Sequence, residues 1–191
     1  MSRALVVVDL QRAFDDLEFW GATTNPACEA NVAALVSAWD AAGEPVVIVR
    51  HDSVEQGSPL AAGSDGNRLK DEIADVEPAL LVVKSVNSAF YGEPDLHAWL
   101  SARGIGEVVL CGIQTNMCVE TTARMAGNLG YDVTVALDAT RTFDLTTRVP
   151  GLGEVTRTAD ELMATAALEL QGGGFATIAT TAQLLDAEHR T

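Results

Sequence analysis

Basic residues, cysteines and histidines are scarce in this sequence. Only 12 of the 191 residues are lysine or arginine, against 27 aspartates and glutamates, so the formal net charge is −15. Phosphate contacts need clustered positive charge, so this balance argues against a nucleic-acid surface. The three cysteines form neither an even disulfide framework nor a C-x-x-C motif. Only three histidines are present, which argues against a metal site built from converging imidazoles.

Long hydrophobic runs and a secretory leader are also missing. No apolar run approaches the roughly 20 residues that are needed to cross a bilayer. The sequence enters a strand-like segment at residues 4–8, with no charged region and cleavage site before it. We therefore expect a soluble, cytoplasmic protein with reduced thiols and no membrane partner.

Short β-branched runs alternate with longer amphipathic stretches along the chain. Hydrophobic residues make up 48% of the sequence and aromatic residues only 5%, so Ala, Val, Leu and Ile must build the core. The short runs are apolar throughout, as in parallel strands that are buried on both faces. We predict a single α/β domain over residues 1–191, with helices on a parallel sheet. The predicted strands are residues 4–8, 45–50, 80–84, 107–111, 132–137 and 175–179.

Three of the intervening helices carry start and stop signals. An Asn-Pro pair opens the helix predicted for residues 25–43, as N-cap and first helical residue. A proline opens the helix predicted for residues 94–104, and a glycine ends it. A capping-box sequence, Thr-Ala-Asp-Glu, opens the helix predicted for residues 158–172.

Three connections are longer than usual: residues 51–68, 85–93 and 139–157. Long segments without secondary structure are uncommon in compact domains, and they often shape binding sites. We expect these connections to border a site, the alternative being that they are surface loops without such a role.

Three reactive side chains fall at the carboxyl ends of predicted strands, where open α/β sheets bind ligands. Asp9 follows the first strand, Lys84 closes the third, and Cys118 lies just past the fourth. Alone, each has an ordinary explanation: a loop hydrogen bonder, a solvated lysine and a small buried hydrophobe, which is how we interpret Cys28 and Cys111. Together they provide a base, a cation and a nucleophile for covalent catalysis. A helix N-terminus and a nearby lysine predict a lowered thiol pKa for Cys118.

Three segments carry a resemblance to a known family. Residues 112–123, GIQTNMCVETTA, look like the nucleophile motif of isochorismatase-like cysteine hydrolases, a group that includes nicotinamidases, N-carbamoylsarcosine amidases and streptothricin hydrolases. Residues 7–14, VVDLQRAF, resemble the family's first strand, and residues 84–90, KSVNSAF, resemble its lysine segment. The three occur in the family's order and at roughly its spacing.

The resemblance implies a three-layer α/β/α fold with a six-stranded parallel sheet in the order 3-2-1-4-5-6. It also implies a cis peptide between Ile113 and Gln114, with the N–H groups of Gln114 and Cys118 forming an oxyanion hole. Asp9, Lys84 and Cys118 would then be the catalytic residues of a cofactor-free hydrolase. Its partner would be a small-molecule amide, ureide or lactam, whose C–N bond is cleaved through a thioester on Cys118.

Two relatives with different chemistry are disfavoured by particular residues. Nicotinamidases bind a metal through an Asp-x-His motif, whereas Asp52 is followed here by Ser53 and Val54. His97 lies in a predicted helix and His189 near the C-terminus, so we expect no metal. True isochorismatases, which cleave a vinyl ether, lack the nucleophilic cysteine, so its presence favours C–N cleavage.

The substrate pocket is less well defined by the sequence. Its candidate residues are the possible apolar walls Phe14, Phe90 and Phe143, and the possible polar contacts Asn87, Gln114 and Asn116. For the phenylalanines, ordinary core packing is an equal alternative. Trp20 is a candidate wall, lid or subunit contact. Arg141 and Arg148 could meet an anionic substrate, although solvated arginines are more common.

Other functions remain open at this level. A fold alone does not fix function, so a non-catalytic small-molecule-binding module is one alternative, and an isochorismatase-type ether hydrolase is another. A redox or flavodoxin-like protein is disfavoured because the lone cysteine has no resolving partner and no phosphate-binding glycine loop is evident. By analogy with the family we expect a homo-oligomer, a dimer or tetramer, in which an apolar helix at residues 121–129 could take part.

Overall fold

Residues 2–188 are described by a computed structural model. The strands are β1 (Ser2–Val8), β2 (Val46–His51), β3 (Leu80–Lys84), β4 (Ile105–Ile113), β5 (Asp132–Arg141), β6 (Leu145–Val149), β7 (Gly153–Arg157) and β8 (Thr177–Ala179). The α-helices are α1 (Leu17–Trp20), α2 (Cys28–Ala42), α3 (Asp71–Ala74), α4 (Leu96–Ala102), α5 (Glu120–Asn128), α6 (Ala159–Gly172) and α7 (Thr181–Glu188). None of the helices within residues 2–188 is long and apolar enough to cross a membrane.

Six parallel strands form the central sheet, in the order β3-β2-β1-β4-β5-β8. The expected three-layer fold and strand order are confirmed. The sixth strand of the sheet is the eighth along the chain, because β6 and β7 pair with each other outside the sheet. The order reverses between β1 and β4, which is where an open α/β sheet offers a crevice for a ligand.

Strand β1 contributes side chains to two hydrophobic cores, one on each face of the sheet. Ala4, Val6 and Val8 point to one face of the sheet, where they pack in a cluster with residues of α4, α5 and α6. Leu5 and Val7 point to the other face, in a cluster with residues of α2 and α3. Because side chains alternate along a strand, a run that is apolar at every position is buried on both sides.

The helix boundaries correct two predictions and confirm a third. Helix α2 begins at Cys28, because the side chain of Asn25 does not cap it but donates to the carbonyls of Asp138 and Thr140. Helix α4 begins two residues after Pro94, where the side chain of Asp95 caps it. Helix α6 has the predicted capping box and runs to Gly172.

The predicted connection 139–157 is largely β-structure, so the expectation that it lacks secondary structure was wrong. Strand β5 continues to Arg141, and the antiparallel pair β6–β7 follows it. Both strands of this pair are mostly exposed, so they lack the burial pattern by which the other strands were recognised. The β-branched residues and the Pro150-Gly151 turn signal were the available clues.

The face of α5 that was considered for oligomerisation packs inside the protein. Thr122, Ala123 and Ala126 are fully buried, and both alanines belong to the core cluster on one face of the sheet. The helix therefore contributes its apolar side to its own domain. Homo-oligomerisation remains a prediction.

Gly112 allows β4 to approach β1 at the crevice. A Cβ atom on Gly112 would lie 1.9 Å from the carbonyl oxygen of Val8, and its φ of +114° is one that side chains rarely adopt. Val8 precedes Asp9, and Gly112 precedes the turn that carries Cys118. A glycine at this position therefore keeps the two chemical groups close together.

We expect Gly112→Ala to destabilise the protein more than Gly130→Ala does. Both glycines have positive φ, but a Cβ on Gly130 meets no atom within 4 Å. The two variants share the backbone strain, and the overpacking at Gly112 should add about 1–3 kcal/mol to the loss of unfolding free energy. Equal denaturant midpoints for the two variants would show that the close approach carries no such cost.

Candidate active site

The ammonium of Lys84 lies between the other two predicted catalytic side chains. Its Nζ is 2.6 Å from Oδ2 of Asp9 and 3.4 Å from Sγ of Cys118. The side chains of Lys84 and Asp9 are 0% and 1% exposed. The structure thus brings together three side chains that follow or end β1, β3 and β4.

A third acceptor completes the surroundings of this ammonium. Nδ1 of His51 lies 3.0 Å from Nζ of Lys84. His51 ends β2 and is the register neighbour of Lys84 in β3. An ammonium group has three N–H donors, and the three neighbours Asp9, His51 and Cys118 match them in number.

Asp9 is held so that one carboxylate oxygen stays available. Its φ is +49°, in the left-handed region that aspartate enters more readily than most residues. Its N–H donates to the carbonyl of Val49. Oδ2 binds Lys84, whereas the buried Oδ1 has no hydrogen-bond partner among the described residues. Burial raises the pKa of Asp9, and the charge of Lys84 acts against this rise, so the carboxylate is a stronger base than in water.

The predicted lowering of the pKa of Cys118 was wrong, because the pKa is raised at this buried position. Burial first, and then the negative charge of Asp9, raise the pKa of Cys118 to about 12. Lys84 lowers it by a smaller amount. The residue is only 8% exposed, and the cost of burying a thiolate exceeds the favourable contribution of the lysine.

Cys118 lies in a single π-helical turn, Thr115–Val119, that connects β4 to α5. The hydroxyl of Thr115 donates to that of Thr140, and the hydroxyl of Thr142 donates to Oδ1 of Asn116. Thr140 of β5 and Thr142, just after that strand, therefore anchor the turn. The peptide between Ile113 and Gln114 is cis, as the resemblance implies.

A cavity of about 580 Å³ opens onto these groups. Asp9, Gln114, Met117 and Cys118 line it. The rest of the lining comes from residues 14–20, which include three aromatic side chains, and from the long connections 51–68, 85–93 and 139–157. These residues are Phe14, Phe19, Trp20, His51, Ser53, Val54, Glu55, Ser58, Leu60, Ser85, Asn87, Phe143, Asp144, Leu145 and Thr146. Phe14, Trp20 and Phe143 contact one another, with ring centroids 4.9–5.9 Å apart. They form an apolar wall of the cavity. Of the roles considered for Trp20, the structure therefore supports that of a wall residue.

Not every candidate for the substrate pocket lies there. Phe90 is in the core and stacks on Tyr131, and Asn116 binds Thr142 instead of lining the cavity. The guanidinium of Arg141 forms a two-pronged ion pair with Glu29.

Arg148 lies on the exposed strand β6, away from the cavity lining. No lysine or arginine among residues 2–188 is part of that lining.

The site contains a donor set that could suggest a metal. Ligand atoms of Asp9, His51 and Cys118 lie within 4.8 Å of one another. Nζ of Lys84 is within hydrogen-bond distance of the same three residues, so the position of a cation is already taken by the ammonium. This donor set therefore does not fit a metal ion.

The residues that would correspond to the metal-binding Asp-x-His motif, and the other described histidine, do not converge on the site. The carboxylate of Asp52 binds Arg50 and Asn67, and Val54 is 83% exposed. His97 lies on α4, where its Nδ1 is 2.7 Å from the hydroxyl of Tyr131. His189 lies outside the described residues.

Sequence reasoning missed the residues that hold His51. Gln11 donates to the carbonyl of His51 and accepts from its N–H, at 3.0 and 2.8 Å. Asn67 donates to the same carbonyl at 2.9 Å. Gln11 lies in the recognised first-strand segment, but nothing in the sequence indicates that it pairs with β2.

A larger groove, of about 810 Å³, lies near the opposite edge of the sheet. It is lined by residues at the start of β2, with parts of α2 and the segment after α3. Its charged side chains are all acidic, and no thiol or imidazole is among them. The smaller cavity is therefore the candidate active site.

Comparison with known proteins places this fold and site in a family. The family model described as Isochorismatase domain matches residues 3–171, and the chain belongs to the isochorismatase family. It is a cysteine hydrolase of that family.

Three similar proteins illustrate the relationship. The isochorismatase family protein YrdC of Bacillus subtilis is 33% identical over 184 residues, 96% of this chain and 95% of YrdC. Nicotinamidase 3 of Arabidopsis thaliana is 31% identical over 154 residues, 74% of each chain. A crystal structure of an isochorismatase family protein from Chromobacterium violaceum has a TM-score of 0.89 and 37% identity, covering 100% of this chain and 95% of that one.

We expect Asp9→Asn to make Cys118 more reactive towards iodoacetamide. The negative charge of Asp9 raises the pKa of Cys118, so its removal lowers that pKa and increases the thiolate fraction at a fixed pH. Alkylation of the Cys118 peptide, followed by mass spectrometry, should be at least about threefold faster. The exposed Asp40→Asn is the control, and an equal rate for both variants would contradict the electrostatic coupling.

Proposed function

We propose that this chain hydrolyses a C–N bond of a small-molecule amide, ureide or lactam through a thioester on Cys118. One observation carries the proposal: a buried ammonium, Lys84, contacts both a carboxylate and a thiol at the base of an open cavity. A base, a cation and a nucleophile in mutual contact are the components of covalent catalysis.

The first step transfers the thiol proton. The free Oδ1 of Asp9 takes the proton from Cys118 as Sγ attacks the substrate carbonyl. Lys84 stabilises the negative charge on sulfur during this transfer. Because the pKa of the resting thiol is raised, the thiolate forms together with the attack and does not accumulate beforehand.

The following steps release the amine and regenerate the thiol. The N–H groups of Gln114 and Cys118 hold the developing oxyanion, and one such donor is typically worth about 3 kcal/mol of barrier. Protonated Asp9 gives its proton to the departing ammonia or amine, which leaves an acyl thioester on Cys118. Water then loses a proton to Asp9 and attacks the thioester, and that proton returns to sulfur.

The amide class of substrate has support from chemistry and from similarity. A cysteine nucleophile forms a stable leaving thiolate and suits acyl transfer better than ether cleavage. Nicotinamidase 3, whose name states an amidase activity, is among the relatives. The aromatic wall of Phe14, Trp20 and Phe143 suits a substrate with a flat or apolar acyl part.

Replacing the nucleophile tests the proposal directly. We expect Cys118→Ala and Cys118→Ser to reduce ammonia release at least about a thousandfold, with the melting temperature little changed. The screen covers nicotinamide, carbamoyl amino acids, maleamate-like compounds and lactams. Cys28→Ala, in a buried cysteine of the core, should keep the activity. Retained turnover in purified Cys118→Ala protein would refute the mechanism.

The charge of the lining predicts a substrate preference. Asp9, Glu55 and Asp144 are the charged groups of the lining, and all three are acidic. An amide with a carboxylate near the scissile bond should therefore have a kcat/KM at least about tenfold below that of an uncharged isostere. Since salt screens such repulsion, the ratio should narrow as ionic strength rises. Equal rates for benzamide and a ring-carboxylated benzamide would contradict this.

A further inference from the structure

His51 touches the centre of the site without a part in the mechanism above. It ends β2, beside Lys84 in the parallel register, and its ring is half-buried on the cavity wall. The 3.0 Å contact from Nδ1 to Nζ of Lys84 is within hydrogen-bond range. The same ammonium makes its other contacts with Asp9 and Cys118.

The direction of this hydrogen bond fixes the state of the ring. A lysine ammonium has only donors, so Nδ1 of His51 must accept. The ring proton then lies on Nε2, and the imidazole is neutral. Burial, followed by the positive charge of Lys84, lowers the pKa of His51 to about 4, while Asp52 acts in the opposite direction.

Charged and titratable groups approach the ring from several strands of the sheet. Lys84 comes from β3, Asp9 follows β1, and Cys118 follows β4. On its own connection, the carboxylate of Asp52 is held by Arg50, and Glu55 lines the cavity further along. The ammonium is the group in direct contact with the ring nitrogen, so the ring remains neutral at physiological pH.

The main chain at His51 is fixed independently of the ring. Gln11 makes two hydrogen bonds to its peptide groups, and Asn67 makes one more to its carbonyl. Gln11 is fully buried, and Asn67 is 5% exposed. This arrangement sets the position of the imidazole relative to Lys84 before any substrate enters.

We propose that His51 is a positioning residue that takes one N–H of Lys84 and directs the other two at Asp9 and Cys118. The proposal rests on the nucleophilic role proposed for Cys118. Without this acceptor, one donor of a buried ammonium is left unsatisfied, and the group turns towards another partner. The consequence is weaker stabilisation of the developing thiolate.

Histidine NMR tests the hydrogen bond in the unmodified protein. With ¹⁵N-labelled histidine, and His51 assigned by its substitution, the spectrum should show the Nε2–H tautomer. The ring should remain neutral well below pH 6, since its pKa is about 4. A proton on Nδ1, or a titration midpoint near the ordinary value of 6.5, would overturn the proposal.

Thiol alkylation tests the effect on Cys118. His51→Leu removes the acceptor, and His51→Asn restores one near the position of Nδ1. His97→Leu, at an exposed position of α4, is the control. At about pH 8, we expect the alkylation of Cys118 to be about fivefold slower in His51→Leu, and within about twofold of wild type in the other two. Equal rates in all four proteins would overturn the proposal.

These readouts do not depend on knowing the substrate. If NMR and alkylation give the expected results but no amide is cleaved, the proposed amidase activity fails and the role of His51 in holding Lys84 stands. If an amide is cleaved through Cys118 but the alkylation rates coincide, the role of His51 fails and the amidase activity stands. The two proposals are therefore tested separately.

Discussion

The buried ammonium of Lys84 is the interaction on which the rest of the site depends. A charge without access to water needs acceptors for each of its protons, and removing one partner of a buried ion pair typically costs about 3–5 kcal/mol. Here the acceptors Asp9, His51 and Cys118 come from the ends of three different strands. They meet because β2, β1 and β4 are consecutive strands of the sheet and β3, which carries Lys84, lies beside β2. The strand order is thus a condition for the chemistry.

Much of the central sheet could be predicted from the sequence, because strands that are buried on both faces, such as β1 and β2, are apolar along their whole buried stretch. Uninterrupted apolar runs predicted all six strands of the sheet, but only the resemblance supplied their order. The pair β6–β7 was missed because its side chains are mostly exposed and carry no such pattern. The start of α2 was misplaced because Asn25 binds carbonyls of β5, a long-range contact that no local signal reports.

The residues of the candidate site also divide into those that the sequence could indicate and those that it could not. Asp9, Lys84 and Cys118 could be proposed because the end of a parallel strand is a position that the sequence reveals. Phe90 and Asn116 belong to the recognised segments, yet Phe90 packs in the core and Asn116 binds Thr142, because the direction of a loop side chain is set by packing. The thiol pKa of Cys118 was predicted in the wrong direction because helix position and charge can be inferred locally, whereas burial cannot.

The raised pKa of Cys118 changes the purpose of the lysine in the proposed mechanism. A thiolate stored in the resting enzyme would need strong stabilisation at all times, and it would react with any electrophile or oxidant that entered the cavity. A thiol with a raised pKa, close to the carboxylate of Asp9, avoids both problems. Lys84, already held by its three acceptors, then acts only as charge appears on sulfur. Catalysis gains from interactions that strengthen in the transition state, so a fixed ammonium beside a neutral thiol is the more effective arrangement.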